Sequence, residues 1–199
     1  MNIIFDTETT GLIPKGMNWE TNYMQFPYLV QLAWKRSDSD RVRDFIIKPD
    51  GYEIPEESTK IHGITTEYAL DHGVSLSYTF NEFFRDVFDC EKIIGHNIFF
   101  DTSIIKSNIL RLLHNDHLTS VLVINKVCKL LSKEKRIDTM MKTIKLCNIK
   151  KPGTKRLKFP SLVELYKKLF NESFNAHNAK DDVLATERCY NELIKLKII

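Results

Sequence analysis

The segment Asn2-Ile3-Ile4-Phe5-Asp6-Thr7-Glu8-Thr9-Thr10-Gly11 decides the fold of this chain. Ile3, Ile4 and Phe5 form an apolar run at its start, which predicts a short buried strand over residues 2–6. Asp6 and Glu8 close that run, and because side chains alternate along a strand the two acids project from one face. Carboxylates so close repel one another unless protons or cations compensate them, and a divalent metal does this well. A polar strand end running into a glycine turn would also produce one such acid, but it accounts less well for two.

Working outward, residues 29–36 and 42–48 read as two further strands separated by the turn Ser37-Asp38-Ser39-Asp40. A hairpin that follows an N-terminal strand implies a mixed sheet. Helical periodicity then covers roughly 55–61, 78–89 and 99–113, with a short strand at 92–95 before the last of these. Further helices are expected at 118–133, 138–147, 160–170 and 179–197, and Lys151-Pro152-Gly153 marks a loop. Strands alternating with helices predict an α/β sandwich. No repeat, low-complexity tract or linker divides the sequence, so residues 1–199 are expected to form a single domain.

Hydrophobic residues make up 43% of the chain and charged residues 28%, the balance of a soluble globular protein. Cys90, Cys128, Cys147 and Cys189 form no CxxC pair, so they are expected to be reduced thiols in an intracellular, cytoplasmic protein. Apolar runs such as Val121-Leu122-Val123-Ile124 are too short to span a bilayer, and a motif beginning at Asp6 leaves no room for a targeting peptide. The net charge of +3 hides an asymmetry. Lys126–Lys168 holds 14 Lys or Arg against Glu134, Asp138 and Glu164, a net of +11. A basic segment beside an acidic body suits a polyanion that must be steered to a carboxylate-rich site, although a solvated lysine face has the same composition.

Asp101 opens the helical pattern Phe99–Leu113 on the stripe that continues through Ile105, Ile109 and Leu112. Burying a carboxylate there is costly unless it is paired or coordinates a metal, and helix capping is the competing role. His177 and Asp182 are five residues apart, which puts them about 140° out of phase on a helix. They converge only if His177 lies in the loop and Asp182 on the helix that follows. Asp181 then reads as an exposed acid at the helix start.

Together these residues resemble the DEDDh family of 3′→5′ exonucleases, which includes the proofreading subunit of bacterial DNA polymerase III, exonuclease I, ribonuclease T and oligoribonuclease. The first motif of that family appears as Asp6-Thr7-Glu8-Thr9-Thr10-Gly11-Leu12 and the second as Gly95-His96-Asn97-Ile98-Phe99-Phe100-Asp101. The third, His-x4-Asp, appears as His177 to Asp182, and Ile61-His62-Gly63-Ile64-Thr65 and Asp138-Thr139 are familiar links between them. Each motif alone is weak, whereas five chemically matched positions in order are specific. Residues 13–28, with Trp19, Tyr23, Phe26 and Tyr28, and the lysine-rich segment 114–160 fit the family less tightly.

The resemblance implies a ribonuclease H-like fold, a mixed β-sheet flanked by helices on both faces. It implies hydrolysis of phosphodiester bonds from the 3′ end of DNA, at single-stranded or frayed ends, with release of nucleoside 5′-monophosphates. Two Mg²⁺ or Mn²⁺ ions would be held by Asp6, Glu8, Asp101 and Asp182, with Asp6 shared between them, and His177 would take the proton from the attacking water. Thr7, Thr9, Thr10, Gly11, Leu12, Asn97 and Phe100 would contact substrate; core packing competes for Leu12 and Phe100. His62 and His96 read as structural, and Trp19 and Tyr23 as ordinary packing. The partner is nucleic acid, in a polymerase or repair complex or alone, with no membrane. An exoribonuclease, a catalytically inactive nucleic-acid-binding module and a ribonuclease H-like endonuclease are the rival functions.

Overall fold

The computed structural model describes residues 1–115 and 120–199. Five strands are β1 (Asn2–Thr9), β2 (Leu29–Arg36), β3 (Val42–Ile46), β4 (Lys92–Gly95) and β5 (Arg136–Asp138), in the sheet order β3-β2-β1-β4-β5. β1 pairs antiparallel with β2 and parallel with β4, so the sheet is mixed as the hairpin implied. The helices are α1 (Trp19–Asn22), α2 (Glu56–His62), α3 (Thr66–His72), α4 (Leu76–Val87), α5 (Ile98–Asn115), α6 (Ser120–Leu130), α7 (Thr139–Cys147), α8 (Leu162–Phe170) and α9 (Ala179–Lys195).

Both faces of the sheet are covered. On one, Ile3, Phe5, Leu32 and Trp34 pack with Phe80, Phe83 and Val87 of α4 and with Ile98, Ile104 and Ile105 of α5. On the other, Ile4, Ala33 and Ile94 pack against Ala179 and Val183 of α9. Leu165 and Tyr166 of α8 then close over Ala185, Cys189 and Leu193 on the far side of α9. Burial on both faces explains why β2 is inaccessible along nearly its whole length and why its sequence is a near-continuous apolar run.

Three expectations need correction. β1 does not stop at residue 6 but pairs with β2 through Thr9, so Asp6 and Glu8 sit within a strand and not beyond its end. β3 ends at Ile46, and the helix expected at 78–89 runs Leu76–Val87, started by Ser75, which caps the Tyr78 amide. α1, α3 and β5 are too short to give a periodic signal; α3 is seven residues bounded by the Thr65 cap and Gly73. The first positions of the helix expected at 118–133 lie outside the described residues, and α6 is described from Ser120. Among the described residues no helix is long and apolar enough to cross a membrane.

Candidate active site

The alternation of β1 sends its polar residues to opposite faces of the sheet. Asp6 and Glu8 share the parity of Ile4, which packs on α9, and Asp182 occupies the first turn of that helix. Carboxylate oxygens of Asp6, Glu8 and Asp182 lie within 4.8 Å of one another. Thr7 shares the parity of Ile3 and Phe5 and so faces α5. There its Oγ1 donates a 2.7 Å hydrogen bond to Oδ1 of Asp101, whose residue is only 3% exposed. The fourth acid thus approaches β1 from the face opposite the other three.

Local structure sets each approach. β1 pairs with β4 only as far as Ile4–Ile94, after which the chain turns through Gly95, His96 and Asn97 into α5. A Cβ on Gly95 would stand 3.2 Å from the Ile98 side chain and 3.4 Å from the Phe5 carbonyl, so glycine permits this close turn. Asn97 adopts a left-handed conformation, φ 71°, and its amide donates to Asp138 Oδ1 at 3.2 Å. His96 is held at both nitrogens, Nδ1 against Thr139 Oγ1 (3.0 Å) and Nε2 against the Pro160 carbonyl (2.9 Å). The start of α9 is fixed in a related way. His177 is also left-handed, φ 70°, and its amide donates to Asp182 Oδ2 at 3.2 Å. Asn178 caps the helix, and the Ala179 amide donates to Oε1 of Gln31, the β2 residue in register with Glu8. The β1–β2 register slips between Glu8 and Thr9, a bulge of the kind that re-aims side chains beside active sites.

Negative charge accumulates here. Burial, then the charges of Asp101, Asp182 and Glu8, holds Asp6 well above the usual carboxylate range. Burial first, and then Asp182 and Asp101, pushes Glu8 up to about 8. Burial raises Asp101 to about 7 against the opposing hydrogen bond from Thr7. Burial raises Asp182 to about 6, partly offset by the His177 amide. Oδ1 of Asp182 is buried with no hydrogen-bond partner. A buried acceptor with no donor, among carboxyls that resist ionising together, is the environment a divalent cation satisfies. Three hard oxygen donors match magnesium or manganese better than a thiophilic ion.

The remaining predicted residues are distributed as follows. Thr7, expected at the substrate, is only 7% exposed and turned to Asp101, so it positions that acid. The Thr9 hydroxyl donates to the Gly11 carbonyl at 2.6 Å, and Thr10 Oγ1 accepts the Tyr28 amide at 2.9 Å. Both hydroxyls are therefore engaged in building the turn. Leu12 at that turn is 84% exposed, which removes core packing as its role. Phe100 is half-buried against the main core, while its neighbour Phe99 is 63% exposed. The His177 side chain is exposed. Asp181, expected to be exposed, is half-buried and accepts a hydrogen bond from Asn175. Trp19 packs beside the core under the Lys106 ammonium, and Tyr23 pairs with His114. Sequence reading missed Gln31, whose one signal is a polar residue inside the buried run Leu29–Trp34. Also missed were Asn108 and Arg111 on α5, which hold the segment 24–29.

The profile of the RNase T exonuclease family matches residues 3–190. This chain belongs to that family. Its fold resembles exonuclease I from Methylocaldum szegediense at a TM-score of 0.67 and 18% identity, covering 98% of this chain and 40% of that one. A further exonuclease I structure, described as suggesting how processivity is achieved, matches at a TM-score of 0.69 and 20% identity, covering 99% and 42%. Exonuclease I from E. coli bound to a dA16 oligonucleotide matches at 0.64 and 19%, covering 99% and 41%. The chain thus spans about two fifths of the length of those proteins. No curated protein matches its sequence closely enough to count as a relative. Membership places it among the DEDDh-type 3′→5′ exonucleases on a ribonuclease H-like fold.

Proposed function

We propose that this exonuclease hydrolyses DNA from its 3′ end, one nucleoside 5′-monophosphate at a time, using two divalent cations. The observation that carries the proposal is the set of carboxylates on β1 and α9: Asp6, Glu8 and Asp182 oxygens within 4.8 Å, with Oδ1 of Asp182 buried and unpartnered. Asp6, Glu8 and Asp182 would hold one cation, and Asp6 with Asp101 the second. Such ions, when bound, neutralise the charge that develops on the phosphorus oxygens and make water a better nucleophile.

The other steps belong to the chain's own side chains. His177, on the loop that leads into α9, is the group to accept the proton of the attacking water. Its exposed side chain stands in the loop while its amide is tied to Asp182, so imidazole and carboxylate belong to one corner of the site. Thr7 keeps Asp101 on its side of the strand. The turn Thr9–Leu12 receives the 3′ end: its hydroxyls brace the loop, and Leu12, free of the core, bears against the last base. Asn97 and Phe100 shape the facing wall from the start of α5.

A 5′-labelled oligonucleotide incubated with and without EDTA tests the proposal, on DNA and RNA of matched sequence. A ladder shrinking from the 3′ end, abolished by EDTA and faster on DNA, is expected. Internal cuts, or full cleavage in EDTA, would overturn it.

A further inference from the structure

The densest positive charge on this exonuclease is not a diffuse lysine face. It is an ordered hairpin over residues 149–158. Lys150 and Leu157 form an antiparallel bridge, the Lys158 amide donates to the Ile149 carbonyl at 2.8 Å, and the Lys151 amide donates to the Arg156 carbonyl at 2.9 Å. The tip Lys151-Pro152-Gly153-Thr154 closes with the Thr154 amide on the Lys151 carbonyl at 3.1 Å, and Gly153 supplies the left-handed φ of 69°. The hairpin contains five cations and no acid. Among the described residues only Lys158 has an ion-pair partner, Glu164 at 2.6 Å; Lys150, Lys151, Lys155 and Arg156 are exposed with none.

Two features distinguish this hairpin from an incidental charged loop. Its exit strand leads directly through Phe159, which is 53% exposed, to Pro160, which is buried. The Pro160 carbonyl is the acceptor for His96 Nε2, in the turn that launches α5 and Asp101. Asp101 lies three residues beyond the first residue of that helix, or roughly 5 Å along its axis. The base of the hairpin is therefore fastened to the turn that leads to Asp101, and the hairpin carries four exposed cations with no ion-pair partner among the described residues.

We infer that the hairpin 149–158 is a docking element for single-stranded nucleic acid 5′ of the cleaved end. Its lysines and arginine follow the phosphate backbone, and Phe159 stacks on an unpaired base. This rests on the proposed 3′-end activity, because a strand seated with its end at Asp6 must leave the cleft past one of its walls. The shared chemistry is a phosphodiester backbone with unstacked bases. Bases stacked and paired within a duplex present no free face to Phe159, so the element favours frayed or single strands.

The test compares wild type, a variant with Lys150, Lys151, Lys155 and Arg156 all changed to Gln, and Phe159→Ala. Binding of DNA and RNA strands of about 12 nucleotides, a length typical of single-strand footprints, is measured across a salt series in Ca²⁺. Hydrolysis of the p-nitrophenyl ester of thymidine 5′-monophosphate is followed in parallel. Each neutralised phosphate contact contributes about 0.7 to the log–log salt slope, so the fourfold variant is expected to flatten it by up to about 3. Phe159→Ala is expected to weaken binding roughly 5- to 100-fold with the slope unchanged. Both variants keep wild-type hydrolysis of the small ester. The polymer that loses more slope is the one the hairpin serves. An unaltered slope on both polymers, with the ester and the oligonucleotide still cleaved, overturns the hairpin and leaves the active site standing. If wild type itself cleaves neither, the proposed function fails and the hairpin with it.

Discussion

Thr7 Oγ1 donates to Asp101 Oδ1 at 2.7 Å, a contact that joins β1 to α5 across 94 residues of chain. It places a donor from the middle of one acidic motif on the acid of another. The pair makes Thr7 a positioning residue and gives Asp101 a fixed carboxyl plane on the α5 side of the strand.

Thr7→Val keeps the shape of the side chain and deletes the donor. Stability should fall by about 1–2 kcal/mol, the size of a lost buried hydrogen bond. Without that bond Asp101, already raised to about 7, rises further. The Mg²⁺ concentration for half-maximal cleavage should increase roughly tenfold, as for a lost support behind a metal ligand. Thr7→Ser should restore both quantities, which thermal melting and a Mg²⁺ titration would measure. A wild-type Mg²⁺ response in Thr7→Val would show that the bond does not serve the site.

The carboxyl cluster should make the cation-free protein less stable as pH rises. Glu8 at about 8, Asp101 at about 7 and Asp182 at about 6 all exceed their unfolded values near 4, and Asp6 is raised as well. The folded chain therefore binds protons more tightly than the unfolded one. By linkage this penalty is absent below about pH 4, grows through the window from about 4 to about 8, and is full above it. Melting in EDTA at about pH 5 and about pH 8 should show the loss, and Mg²⁺ should reverse it at the higher pH. Asp6→Asn should raise the cation-free midpoint at about pH 8 while nearly abolishing cleavage. A midpoint lower than wild type there would contradict the repulsion.

His177→Ala should lower kcat by roughly 10²- to 10⁴-fold with binding of the oligonucleotide little changed. His177→Asn keeps a residue type that tolerates φ near 70° but cannot carry a proton, so it separates backbone strain from chemistry. Equal loss in both variants, with wild-type melting, identifies the imidazole as the base. Near-normal kcat in either removes His177 from the mechanism.

Arg111 is only 8% exposed, and its guanidinium donates to the carbonyls of Met24, Phe26 and Pro27 while stacking 4.0 Å from the Tyr28 ring. Tyr28 in turn exchanges hydrogen bonds with Thr10 at both its amide and its carbonyl. Arg111→Met fills similar space and removes the guanidinium donors from the Met24 and Phe26 carbonyls, while Pro27 keeps its bond from Asn108. A loss of about 3 kcal/mol is expected, which lowers the melting midpoint by roughly 10 °C in a chain of this size. Because the turn proposed to receive the 3′ end hangs on Tyr28, KM for an oligonucleotide should rise more than kcat falls. A variant that melts like wild type would show that segment 24–28 is held some other way.

Much of this protein could be read from its sequence, for reasons that are local. The apolar runs of β1, β2 and β4 and the helical stripes of α4, α5 and α9 lie in the order of residues, because strand and helix periods depend on backbone geometry alone. Asp6, Glu8 and Asp101 stood out because they interrupt apolar patterns, whereas His177 and Asp182 stood out only through the motif they share with the exonuclease family. The loop-then-helix placement of His177 and Asp182 followed from the 100° step of a helix and is what the structure contains. What tertiary structure decided is how those residues meet. Asp101 could not be assigned a side of β1 until α5 was packed, and the role of Thr7 is visible only across that contact. Gln31 acquires a function only because β2 sets it opposite Glu8 and beneath the first amide of α9. The basic hairpin gains direction only through the Pro160–His96 bond. Each of these is a pairing between groups distant in the chain, and no period or local preference encodes a distance between them; it emerges when both faces of the sheet are buried at once.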